Sequence, residues 1–130
     1  MNKKLFVTGC VFALIAVILG ALGAHALKEK LSPEQLSSFE TGVRYQFYHA
    51  LALIIVALHY ERFKWEYVTW AGRFFIYGIC FFSGSIYLLS VKDILNIELL
   101  GKISGPITPF GGILMIAGWI FLILSIIKNK

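Results

Sequence analysis

The chain has 130 residues, of which 58% are apolar and 15% charged, and its mean hydropathy is +0.79. A water-soluble domain carries roughly a quarter of its residues as charges, so the composition excludes one. At about 20 apolar residues per helical crossing, the length holds four or five spans and no extramembrane domain, while the net charge of +5, scattered over connectors and tails, excludes the basic stripe of a nucleic-acid binder.

The first apolar run, Leu5 to Leu27, contains a single ionisable residue, His25. Lys3 and Lys4 precede it, and Ala24-His25-Ala26 fits a signal-cleavage pattern. The run is longer than a signal core, however, and reads as a retained span. Val7-Thr8-Gly9-Cys10 looks like a lipoprotein box but lies too near the N-terminus to have an apolar core before it. Gly9, Ala13, Ala16, Gly20 and Ala24 recur at spacings of three and four, giving a smooth side for close helix packing.

The second run, Tyr45 to Tyr60, gains its length from an extension starting at residue 33. Ser32 as N-cap, Pro33 in the first helical position, Gln35 completing a capping box and Leu31 stapled to Leu36 together predict a helix start. Leu36, Phe39 and Val43 then form an apolar stripe, so an amphipathic helix leads into the membrane, with Gly42 as the expected bend. The third span covers residues 74–91, with Trp65, Tyr67 and Trp70 as interfacial anchors ahead of it. The fourth covers residues 103–127. Two prolines, Pro106 and Pro109, and the glycines around them, Gly111 and Gly112 among them, predict an irregular start to this helix, covered by protein rather than lipid.

The expected architecture is therefore all-α: a four-transmembrane-helix bundle, one integral membrane domain over residues 1–130, with an amphipathic helical connector before the second span and a broken start to the fourth. Four crossings put both termini on one side. That side carries seven Lys and Arg against five on the other, which places both termini in the cytoplasm of a cell membrane.

Several segments in their order along the chain are familiar. Gly23-Ala24-His25-Ala26-Leu27-Lys28, the stretch from Leu31 to Ile54 with its core Thr41-Gly42-Val43-Arg44-Tyr45-Gln46-Phe47-Tyr48-His49-Ala50, Phe82-Ser83-Gly84-Ser85-Ile86-Tyr87, and Ile107-Thr108-Pro109-Phe110-Gly111-Gly112 through Gly118-Trp119 resemble small inner-membrane proteins of the YgdD/YwdK type. The resemblance covers nearly the whole chain and departs between Val91 and Lys102. It implies a four-helix integral membrane protein with animal relatives. The family is a domain of unknown function, so it implies no catalytic residue.

Alternating crossings bring one polar set to a single end of the bundle: His25, Glu40, Arg44, Tyr45, Gln46, Tyr48, His49, Ser90 and Thr108, beside the Pro106 to Gly112 segment. Glu40 with Arg44, and Tyr45 with His49, are four apart and able to touch. One reading is a structural clasp in which Arg44 is held by Glu40 and by exposed carbonyls of the fourth segment. The other is a pocket for a small molecule, a lipid head group or a proton, with His25 or His49 changing charge near neutral pH.

The four apolar cores contain no Asp or Glu, which argues against a proton-coupled exporter, and no span offers a polar stripe to line a channel. The histidines fit no metal motif. Cys10 and Cys80 read as small packing residues rather than a disulfide. The sequence thus points away from an enzyme and implies no cofactor and no metal. Membrane lipids are the expected partners, with a second copy or another membrane protein as further candidates. A structural or assembly component is favoured over binding or transport, because every residue singled out has a packing explanation.

Overall fold

The structure, a computed structural model, describes residues 1–129. They form four long helices, α1 (Lys3–Ala24), α2 (Pro33–Leu58), α3 (Trp65–Leu95) and α4 (Glu98–Ile127), with one 3₁₀ turn at Tyr60–Arg62 between α2 and α3. All four are long and apolar enough to cross a membrane, and no strand occurs among the described residues. Each helix packs antiparallel on the next. Gly9 meets Ile54 and Gly23 meets Phe39 between α1 and α2, Gly42 meets Ile86 and Tyr87 between α2 and α3, and Gly78 meets Met115 between α3 and α4. The central pair, α2 and α3, supplies most of the apolar core: Leu53, Val56, Ala57, Val68, Phe75 and Ile79, closed by Leu5 of α1 and Met115 of α4.

The start of α2 follows from its capping box. Gln35 N–H donates to Ser32 Oγ at 3.2 Å and Ser32 N–H donates back to Gln35 Oε1 at 3.0 Å, so two otherwise orphaned donors are satisfied reciprocally. The turn between α3 and α4 is short. Asn96 adopts a left-handed conformation with φ of 53°, and Ile97 N–H donates to Lys92 O at 3.1 Å. This is a helix stop built on one of the few non-glycine residues that tolerates positive φ.

Three local expectations are corrected. First, α4 runs unbroken through Pro106 and Pro109. Each proline removes one backbone donor, leaving Lys102 O and Gly105 O without their N–H four residues on, but packing along α3 holds the helical course. Gly105, directly before Pro106, has no Cβ to crowd the ring. Gly111 does not loosen the chain either: a Cβ there would lie 2.7 Å from Phe81 C and closer still to Phe82 N, so glycine permits backbone contact between α3 and α4.

Second, α2 continues through Gly42. That glycine admits Tyr87, whose Cε1 would lie 2.9 Å from an added Cβ. Third, α1 stops at Ala24, and residues 25–30 form turns. Cys10 and Cys80 are free and exposed on the bundle's outer face rather than packed inside it.

Candidate functional site

Helix periodicity divides the polar residues of α2 into two sets. Gln46 and His49, three apart, turn inward and are 3% and 5% exposed. Arg44, Tyr45 and Tyr48 turn outward. Gln46 joins three helices: its Nε2 donates to Phe12 O of α1 at 2.8 Å, and its Oε1 accepts from Tyr87 Oη of α3 at 2.8 Å. One turn earlier, Ser83 Oγ donates to Gly42 O at 2.7 Å, tying α3 to α2.

His49 reaches α4. Its Nδ1 lies 2.7 Å from Tyr45 O, which makes that nitrogen the donor, and its Nε2 accepts from Trp119 Nε1 at 3.1 Å. Both ring nitrogens are committed, which selects the neutral Nδ1–H tautomer. The imidazole also lies against Phe75, with centroids 5.5 Å apart. Ser85 Oγ and Thr108 Oγ1, 2.6 Å apart, join α3 to α4. Among the described residues no buried side-chain polar atom lacks a partner. Interhelical bonds of this kind contribute about 0.6 kcal/mol each on average, so the network sets helix register more than it supplies bulk stability.

The expected end cluster is thus divided. Gln46, His49 and Ser90 are buried, and Thr108 is half-buried. His25 and Glu40 are exposed, His25 in the turn after α1. No ion pair joins Glu40 to Arg44. Arg44 instead donates from Nη2 to Thr41 Oγ1 at 3.1 Å, its guanidinium directed back toward the start of α2 as a long side chain snorkels toward the membrane surface. With Tyr48 it borders a shallow groove of about 310 Å³ between α1 and α2. Arg44 is therefore not a buried charge, and the clasp built on it does not form. Tyr45 stacks over His49 with centroids 6.1 Å apart.

Sequence reading missed Tyr87, Trp119, Ser83 and Ser85, the partners of the inward set. For Ser83 and Tyr87 the signal lay in their spacing with Ser90 at three and four along one side of α3.

A larger cleft, of about 520 Å³, opens between α2, α3 and α4 at the end bearing the α1–α2 and α3–α4 connectors. Ile86, Leu89 and Pro109 form its apolar walls, while Glu34, Gln35, Ser38, Thr41, Ser90 and Thr108 supply oxygen and nitrogen atoms. The ring of Pro109 and the bare backbone of Gly105 leave room on the α4 side. His25, Arg44 and His49 do not line it. No group of three or more His, Cys, Asp or Glu residues placed to hold a metal occurs among the described residues.

At the other end, the Met1 amine pairs with Glu61 at 2.6 Å, and its hydrogen bond, followed by its charge, holds that carboxyl below its ordinary value. Trp65 and Trp70 are exposed there, with Arg73 lying 5.0 Å over the Trp70 ring. This is the arrangement of an interfacial aromatic belt.

No solved structure matches the chain. A UPF0382 membrane protein of Staphylococcus haemolyticus is 43% identical over 126 residues, covering 97% of each chain. One of Staphylococcus aureus is 44% identical with the same coverage, and YwdK of Bacillus subtilis, also a UPF0382 membrane protein, is 41% identical over 127 residues, covering 97% of this chain and 98% of its own length. The family described as "Protein of unknown function (DUF423)" matches residues 19–112. Four membrane-length helices and near full-length relatives together make the chain an integral membrane protein of the DUF423 family.

Proposed function

We propose that the protein binds a membrane amphiphile in the cleft between α2, α3 and α4, and that it does so without chemistry of its own. One observation carries this reading: a 520 Å³ opening whose apolar walls and polar rim lie together in a helix bundle. Such a mixture matches a molecule with a hydrogen-bonding head and a hydrocarbon body. The alternative, assembly through the glycine and alanine faces, has less support, because Gly9, Gly23, Gly78, Gly111 and Gly118 are each filled by a neighbouring helix of the same bundle.

Met1 and Asn129 sit at the end opposite the cleft, where Asn2 N–H donates to Ala57 O and Lys64 N–H donates to Ser125 O. With the positive-inside bias at that end, the reading puts the termini in the cytoplasm and the cleft at the outer leaflet of the cell membrane.

Ser38 is exposed and lines the cleft, whereas its neighbour Ser37 is exposed and does not. Detergent-purified protein stripped of lipid is to be melted with and without a polar lipid extract, as wild type, Ser38→Trp and Ser37→Trp. Ligand that binds only the folded state raises the melting temperature. The expected result is a rise for wild type and Ser37→Trp and none for Ser38→Trp. An equal rise in all three would remove the cleft from the function.

A further inference from the structure

We infer that the cleft selects a head group that donates hydrogen bonds and carries positive charge, namely the protonated primary amine of an amphiphile. The inference rests on the amphiphile-binding reading above and concerns which head group the site accepts. Three of the four hydroxyl groups lining the cleft have already given away their hydrogens, and Ser38 keeps its own. Thr41 Oγ1 donates to Ser37 O at 3.0 Å, and Ser90 Oγ donates to Ile86 O at 2.8 Å. Thr108 Oγ1 shares its hydrogen between Ser104 O and Ser85 Oγ, at 3.2 and 2.6 Å. What Ser90 and Thr108 still offer is lone pairs.

Gln35 has one amide N–H and its oxygen engaged, with Nε2 donating to Asp93 Oδ2 at 2.7 Å and Oε1 accepting from Ser32 N–H at 3.0 Å, and keeps its second N–H. The α4 wall adds another acceptor, because Pro109 has no N–H and leaves Gly105 O without its helical partner. The charged lining residue is Glu34, a carboxylate, and no Lys, Arg or His lines the cleft. Arg44 lines the groove between α1 and α2 instead and donates to Thr41 Oγ1.

The surrounding field does not reverse this preference. The two connectors and adjoining helix ends hold Lys28, Lys30, Arg44, Lys92 and Lys102 against Glu29, Glu34, Glu40, Asp93 and Glu98. These balance, so the lining itself decides. A site richer in acceptors than in donors, with one carboxylate, complements an ammonium, which has three donors and no acceptor, and offers a carboxylate or phosphate head only the Ser38 O–H and one Gln35 N–H beside the repelling Glu34.

The test uses three photo-crosslinkable probes with one hydrocarbon chain and one diazirine position, ending in a primary amine, an alcohol or a carboxylate. Each is added at neutral pH to the full-length protein in phosphatidylcholine vesicles, and labelled peptides from α2 and α4 are quantified. The amine is expected to label most and the carboxylate least. Glu34→Gln, which leaves the capping box intact, is expected to lower amine labelling about two- to fivefold, toward the alcohol's level, the range of a partly exposed ion pair. Equal labelling by amine and alcohol, or stronger labelling by the carboxylate, would overturn the head-group assignment. The Ser38→Trp variant separates the two proposals. If it blocks labelling by whichever probe binds, the cleft stands and only its head-group preference is wrong. If labelling ignores Ser38→Trp, or wild type is not labelled by any probe, both proposals fall.

Discussion

The two ends of the bundle are closed by different means. At the terminal end, helices are joined by backbone: Asn2 N–H to Ala57 O at 2.9 Å and Lys64 N–H to Ser125 O at 3.1 Å. Side chains add to this through Tyr60 with Thr69, Asn129 with Arg62 O, and the Met1 amine with Glu61. Beneath these links lie Leu53, Val56, Ala57, Val68 and Phe75, all fully buried. At the connector end, one exposed side-chain bond, Gln35 to Asp93, ties α2 to α3, and the space between α2 and α4 stays open. The closed end and the interior side-chain network next to it set helix register, and the open end is released from that task. A pocket is tolerated where packing is not needed to hold the fold.

That contrast is testable by breaking the packed middle and the closed end. Gly111→Leu should have the largest effect. Overpacking costs about 1–3 kcal/mol where side chains can shift, and here the obstruction is the Phe81 and Phe82 backbone, so loss of the monodisperse folded peak on size exclusion in detergent is expected.

His49→Phe should act more mildly. It leaves the Trp119 N–H without its acceptor, at a cost of about 1–2 kcal/mol in reversible unfolding. Adding Trp119→Phe should recover part of that loss, because the unpaired donor is removed as well. A double variant no better than the single one would mean the bond does not act as a pair.

The smallest expected effect sharpens the comparison through pH. The carboxyl of Glu61 is held below its ordinary value of 4.5, first by its hydrogen bond to the Met1 amine and then by that amine's charge. A depressed carboxyl stabilises the fold above the unfolded value and loses that contribution as pH falls through the folded one. Wild type should therefore exceed Glu61→Gln slightly at pH 6, with the two melting curves converging below pH 4.5. The group is solvated, and the backbone links already close that end. A difference that persists at low pH would assign the effect to something other than the ion pair.

Four crossings, the capped start of α2 and the aromatic anchors near Trp65 and Trp70 were legible in the sequence, because hydrocarbon thickness and helix capping act on residues close together in the chain. The inward direction of Gln46 and His49 was half legible, since their spacing put them on one side but could not say that Arg44 and Tyr48 faced away. What only the tertiary structure decided was the fate of residues whose local preference was overruled. Pro106 and Pro109 stay helical along α3. Gly42 and Gly111 serve close approach rather than bending. His49 finds Trp119, 70 residues away. Local propensity amounts to about 1 kcal/mol per glycine, whereas a helix packed along its length gains many small contacts at once, and the pairing of distant residues depends on which faces meet.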